Sequence, residues 1–265
     1  AMMATDSRPP FIERMLWDEV ATRIHDGAVA ILPIGAAAKQ HGLHLPLNTD
    51  RIQAEWLAAR LAARFDALIW PTVTYGHYPA FTKYAGSSSL SASTFEALVR
   101  ELATGILGSG CRTVFVLNTG VSTLAPVDRA LARLDAGRVK HLWISGGPRY
   151  RRVARELAEQ SHGSHADELE TSLMLAIAPE LVDMGRAEAS PAVTRETPGA
   201  LTPSDENSPN YSRSGSYGNP TLATLAKGED LLAAILDDLV EQVAVFIAKD
   251  LTDKPRPEAM QSVLR

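Results

Sequence analysis

Val29-Ala30-Ile31-Leu32-Pro33-Ile34 runs through Gly35-Ala36-Ala37-Ala38-Lys39-Gln40-His41-Gly42-Leu43-His44-Leu45-Pro46-Leu47-Asn48-Thr49-Asp50 into a segment carrying Ile52, Trp56, Leu57 and Leu61. Six apolar residues without alternation are the pattern of a strand buried on both faces. The apolar spacing after Asp50 is that of an amphipathic helix. Strand, polar loop and helix make half of a βα unit.

The same rhythm recurs along the chain. Leu68 to Val73, Thr113 to Leu117 and Val139 to Ile144 read as further buried strands, giving at least four. Phe95, Leu98, Val99, Leu102 and Ile106 form a second helical stripe. Ser93 with Glu96 has capping-box spacing at its start, and Gly108 and Gly110 lie near its end. A third helix is expected over Ala166 to Ile177, stopped by Pro179, and a fourth from about Gly228 to Lys249. Strands alternating with helices predict an α/β fold around a mostly parallel sheet. No composition shift marks a second domain, so one domain is expected over 11–252, with loose termini at 1–10 and 253–265. Residues 186–220 are rich in Pro, Ser, Thr and Asn and read as a long connection, either functional or mobile.

Composition narrows the function classes. The 265 residues carry a net charge of −5, which argues against non-specific binding to nucleic acid or to an anionic membrane. The densest basic cluster, Arg149, Arg151 and Arg152, reads as a solvated helix start. Cys111 is the single cysteine, which excludes a disulfide framework and a cysteine zinc site; its place before Val114-Phe115-Val116-Leu117 suits a core filler better than a nucleophile. The N-terminal stretch is polar and no run approaches the ~20 apolar residues of a membrane span, so a cytoplasmic protein is expected. No Gly-x-Gly-x-x-Gly follows a strand, and neither a phosphate-binding Gly-Lys-Ser/Thr loop nor a Gly-x-Ser-x-Gly elbow occurs.

Chemistry is sought after the carboxyl ends of the strands, where open parallel sheets bind ligands. The loop from Gly35 to Asp50 holds the densest ionisable cluster, with Lys39, His41, His44 and Asp50. Imidazole and carboxylate together suit zinc, manganese or iron. The same residues would also serve a polar loop whose histidines cap backbone groups.

Three blocks of the sequence resemble the creatininase family. Leu32-Pro33-Ile34-Gly35, Gln40-His41-Gly42, His44-Leu45-Pro46-Leu47 and Thr49-Asp50 form the first. His165-Ala166-Asp167-Glu168-Leu169-Glu170-Thr171-Ser172 forms the second, and Ser214-Gly215-Ser216-Tyr217-Gly218-Asn219-Pro220-Thr221 the third. The resemblance implies a three-layer α/β/α sandwich, assembly into a homohexamer, and hydrolysis of small amides, often cyclic, by water bridging two divalent metals. His41 and Asp50 match ligand positions. The family's glutamate two residues before that histidine is Lys39 here, its Asn-Gly-His turn falls on Asn118-Thr119-Gly120, and its Glu-His pair falls on Ala80-Phe81.

The expectation is therefore a hydrolase of a small C–N substrate with one divalent metal, zinc, manganese or iron, on His41, Asp50 and Glu168. Glu168 enters because it lies three residues after His165 and would share a helix face with it. His165 is the candidate general acid/base, and Tyr84 and Ser87 are candidate pocket residues. His44 is read as bonding the loop backbone or as lining the substrate pocket. Lys39 has three readings: a cation replacing the lost metal beside Asp50, a catalytic amine, or an exposed loop lysine. The rival to the metal hydrolase is a metal-free binding or assembly subunit; a Lys39-dependent enzyme of another reaction type is a further alternative.

Overall fold

The structure is a computed structural model and describes residues 9–191 and 199–253. Four parallel strands, β1 (Val29–Ile34), β2 (Ala67–Ile69), β3 (Val114–Asn118) and β4 (Val139–Trp143), form one sheet in the order β2-β1-β3-β4. Seven α-helices accompany them: α1 (Trp17–His25), α2 (Thr49–Ala62), α3 (Ala92–Gly108), α4 (Leu124–Leu131), α5 (Pro148–Leu157), α6 (Glu168–Ile177) and α7 (Leu225–Asp253).

The pleat explains the layers. Successive side chains of a strand point to opposite faces. Ile31, Phe115, Leu117 and Leu142 face one side and pack with Leu57 and Leu61 of α2, Leu173 of α6, and Leu231, Ile235 and Leu239 of α7. Ala30, Leu32, Ile34, Val114 and Val116 face the other and pack with Phe95, Val99 and Ile106 of α3 and Val127 of α4. Both faces of the sheet are covered, so its strands read as continuous apolar runs. The result is the expected three-layer α/β/α arrangement, and Cys111 lies fully buried in the α3–α4 layer, as a core filler should.

β2 stops sooner than its apolar run suggested. Pro71 ends it, and Val73 rejoins the sheet by an isolated bridge to Ile34, its N–H donating to the Pro33 carbonyl at 2.9 Å. Pro33, which has no N–H to offer, thus sits in a central strand where its neighbour has broken off. The N-cap of helix α3 lies two residues before the anticipated one. Ser91, not Ser93, is its N-cap and accepts from the Thr94 N–H at 3.2 Å. Glu96 pairs instead with Arg129 of α4. Residues 9–10 are docked rather than loose: the Ile69 N–H donates to the Pro10 carbonyl at 2.9 Å. The other expected loose residues, 1–8 and 254–265, lie outside the described ones. Arg149 lies in α5, at whose start it meets Asp238 and Glu241. Among the described residues no helix is long and apolar enough to cross a membrane.

Two glycines are fixed by close approach. A Cβ on Gly35 would lie 2.4 Å from the Asp50 carbonyl oxygen, so the end of β1 touches the start of α2 directly. A Cβ on Gly228 would lie 1.9 Å from the Ser172 carbonyl oxygen, which lets α7 pass against α6.

The chain goes from β1 to β2 on one side and returns to β3 on the other. The crevice between the carboxyl ends of β1 and β3 is therefore the topological switch point, where open α/β sheets bind ligands.

Candidate metal centre

The loop after β1 folds over this crevice. His41 forms an isolated bridge with Leu45, and its Nδ1 lies 2.9 Å from the Lys39 carbonyl. Asp50 enters in the first turn of α2. Its Oδ2 meets the Lys39 ammonium at 2.7 Å and its Oδ1 lies 3.2 Å from His41 Nε2. Lys39 is 6% exposed, which removes the exposed-loop reading of that residue. Burial would push the Asp50 carboxyl up, but the Lys39 ammonium and the His41 imidazole outweigh it and hold Asp50 well below the usual carboxylate range.

The second block arrives from the other side of the crevice. His165 pairs with Tyr217 in an isolated bridge, and Ala166 takes a positive φ of 45°, the only non-glycine among the described residues to do so. That turn is held by Glu170, whose Oε2 accepts from the Ala166 N–H at 2.7 Å. Glu170 Oε1 lies 3.7 Å from His41 Nε2, and Oε2 lies 3.9 Å from His165 Nδ1. His165 Nε2 sits 2.8 Å from the Gln40 carbonyl. Burial, then the neighbouring His41 and Lys39, push the His165 pKa well below its ordinary value and favour the neutral ring.

These contacts fix the direction of the imidazole lone pairs. A carbonyl oxygen only accepts, so His41 donates from Nδ1 and His165 from Nε2. The remaining nitrogens, His41 Nε2 and His165 Nδ1, turn toward the carboxylates of Asp50 and Glu170. Lone pairs facing carboxylate oxygens repel unless a proton or a cation lies between them. Metal-ligating histidines characteristically tie their second nitrogen to a backbone carbonyl in this way. One donor atom each from His41, His165 and Glu170 lies within 4.8 Å of the others, and imidazole with carboxylate suits zinc, manganese or iron. The charges agree: Lys39 answers Asp50, and among the described residues no lysine or arginine pairs with Glu170. The residues present fit one divalent ion.

Glu168 requires a correction. Its carboxylate is fully buried away from this group and accepts from the Glu159 N–H at 3.0 Å, the Gln160 N–H at 2.8 Å and the Lys227 ammonium at 2.6 Å. The helical spacing assumed from His165 does not exist, because α6 begins only at Glu168, behind its N-cap Asp167. Within the helix, residues 168 and 170 point about 200° apart. Glu170 is the carboxylate that the cap at Asp167 turns inward.

The three candidate pocket residues serve as braces. His44 Nε2 bonds Thr171 Oγ1 at 2.8 Å and ties the loop to α6; burial and His41 push its pKa down to about 4. The Tyr84 hydroxyl donates to the Ser212 carbonyl at 2.6 Å, and Ser87 Oγ accepts from the Gln40 N–H at 3.0 Å. Residues 199–220 thus form a wall of the site, to which Gln40 Nε2 also donates at the Gly215 carbonyl, 2.8 Å away. In the sequence, Phe81 figures only as a position where the family's Glu-His pair is lost; its ring lies 4.2 Å from that of His165 and 5.2 Å from the Lys39 ammonium.

Residues 13–243 match the family described as Creatininase, creatinine amidohydrolase. The chain belongs to the creatininase family. A mycofactocin precursor peptide peptidase of Mycobacterium tuberculosis (strain ATCC 25618 / H37Rv) is 29% identical over 247 residues, 87% of each chain. The creatinine amidohydrolase of Pseudomonas putida is 27% identical over 208 residues, 71% of this chain and 79% of that one. A solved mutant creatininase is 25% identical with a TM-score of 0.76, covering 90% of this chain and 99% of its own. A manganese form, "Creatininase Mn", gives the same TM-score at 23% identity, over 90% of this chain and 98% of that one.

Two departures of this creatininase-family hydrolase from the family motif, at Lys39 and Gly120, lie together on one side of the crevice. Lys39 lies where the family motif has glutamate. Gly120, where the motif has histidine, sits in a turn closed by Asn118, whose Oδ1 accepts from the Gly120 N–H at 3.2 Å and from Thr123 Oγ1 at 2.7 Å. Lys39, Asp50 and Gly120 line one small gap there.

Proposed function

We propose that the chain hydrolyses a carbon–nitrogen bond of a small amide, cyclic amides included, at a one-metal centre on His41, Asp50, His165 and Glu170. One observation carries this reading: both imidazoles are anchored to backbone carbonyls and turn their free nitrogens toward the two carboxylates. The curated relatives support the bond type, since one is named an amidohydrolase and the other a peptidase. Bound there, a divalent zinc, manganese or iron ion would supply a Lewis acid and lower the pKa of coordinated water toward 7.

The chain's own residues do the rest. Lys39 neutralises Asp50 and leaves that carboxylate one oxygen free on the His41 side. Gln40, through its carbonyl, fixes the ring of His165 and keeps Nδ1 directed at Glu170. Phe81 covers the rings and keeps bulk water away.

The metal-free alternative draws on the Lys39–Asp50 pair, which needs no metal to stand. It leaves Glu170 and two imidazole lone pairs facing one another without a cation. Elemental analysis of protein purified without chelators separates the two. About one equivalent of zinc, manganese or iron per chain, lost in His41→Ala, supports the hydrolase; no metal under any loading condition overturns it. Hydrolysis is then assayed with creatinine and with small linear amides.

A further inference from the structure

The gap between the ends of β1 and β3 is lined by Lys39, Asp50, Tyr78, Asn118, Gly120 and Thr123 among others. Its free space is about 10 Å³, which suits one water-sized atom rather than a whole substrate. Most polar groups around it are already engaged. Asn118 and Thr123 bond each other and Gly120, and Asp50 holds the Lys39 ammonium through Oδ2. Two buried residues, Lys39 and Tyr78, keep unused hydrogens. Lys39 carries three and places one on Asp50. The Tyr78 hydroxyl is buried, in a residue 2% exposed; the Gly76 backbone approaches its oxygen, and its own hydrogen meets no acceptor. A native fold rarely leaves a buried hydroxyl so.

We propose that Tyr78 is a catalytic residue, and that its hydroxyl and the Lys39 ammonium form a one-atom anion subsite for the substrate's carbonyl oxygen. The inference rests on the hydrolase reading above. When water adds its oxygen to the carbonyl carbon, the π pair moves onto the carbonyl oxygen, which becomes an oxyanion. Tyr78 and Lys39 donate to that oxyanion. When the pair returns to re-form C=O, the C–N bond breaks, the amine leaves with one of the water's two protons and the other passes to solvent, giving carboxylate and amine. Donors aimed at developing charge in a site shielded from water act in this way. The subsite selects substrates whose carbonyl is flanked by little bulk, because only a single oxygen fits the gap.

Fluoride, a one-atom anion, is the probe, followed by ¹⁹F NMR titration. It is run on the metal-loaded protein and on the protein as purified. Wild-type protein is expected to bind fluoride, and Tyr78→Phe, which keeps the ring, to weaken binding about tenfold, the effect of one hydrogen bond to a charged acceptor. Tyr78→Met serves if the phenylalanine variant fails to fold. Absence of fluoride binding in both preparations, or an affinity unchanged by removing the hydroxyl, overturns the proposal. Failure to load metal sinks the one-metal reading by itself, and the titration of the protein as purified still judges Tyr78.

Discussion

At the residue scale, two carboxylates two positions apart have opposite jobs. If Glu170 is a direct ligand, as we propose, Glu170→Gln should weaken metal binding by more than the about 10–100-fold that loss of an outer-shell partner costs. Glu168→Gln should leave metal stoichiometry unchanged and lower stability instead, since its buried carboxylate answers Lys227. Elemental analysis beside urea denaturation distinguishes them; metal lost on Glu168→Gln would reverse the assignment. Lys39→Met strands a buried carboxylate and should cost about 3–5 kcal/mol at pH 7 in the metal-free protein. Asp50 has a depressed pKa in the folded state, so its stabilisation is present above the unfolded carboxyl pKa and is lost as pH falls through the folded value. The gap between wild type and Lys39→Met should therefore narrow in strong acid, read from denaturation midpoints across pH. Loop residues such as Lys39 and His41 were legible as a cluster. That the ammonium is buried against Asp50 was open among three readings, because sequence carries no measure of burial for a loop.

At the element scale, the start of α6 controls the site. Asp167 caps the helix, accepting from the Glu170 N–H at 2.9 Å, and burial pushes its carboxyl up to about 6 against the opposing pull of its hydrogen bonds. A raised folded pKa stabilises fully below the unfolded value near 4, and that contribution is lost as pH rises through about 6. Wild-type stability should fall across this window by up to about 3 kcal/mol, and Asp167→Asn should not show the fall. Urea titrations at pH 4, 5, 6 and 7 measure it; parallel curves would refute the cap's role. The boundary of α6 was read two residues early, and that slip moved the ligand from Glu170 to Glu168. Capping side chains decide such boundaries. A run such as Asp167-Glu168-Leu169-Glu170 offers three acidic residues among which only the backbone path chooses. Ser91, two residues before the anticipated cap of α3, repeats the lesson.

At the scale of the molecule, the centre joins parts distant in sequence: the β1 loop, the first turn of α2 and the turn before α6. An ion bound there clamps three elements in the folded state and none in the unfolded chain. Zinc at a hundredfold excess over its dissociation constant should stabilise the protein by about 2.7 kcal/mol, a rise of roughly 5–11 °C in Tm for a chain of this length. His41→Ala should abolish the shift in thermal scans with and without metal, and an equal shift in the variant would count against the site. The family habit leads us to propose a cytoplasmic homohexamer, to be tested by light scattering of the purified protein. Leu16 and Trp17, 68% and 83% exposed, mark a surface whose burial such an assembly would report through tryptophan fluorescence.

The sequence by itself determined the βα rhythm, the parallel sheet, the family and the identity of the loop that carries His41 and Asp50. These rest on periodic burial and on residues close in the chain, where covalent spacing fixes geometry. Tertiary structure alone decided that Glu170 rather than Glu168 faces the two imidazoles, that Lys39 is buried against Asp50, and that Tyr78 lines the gap beside Gly120. Each depends on which way a side chain turns once the elements are packed together, and no local pattern records that.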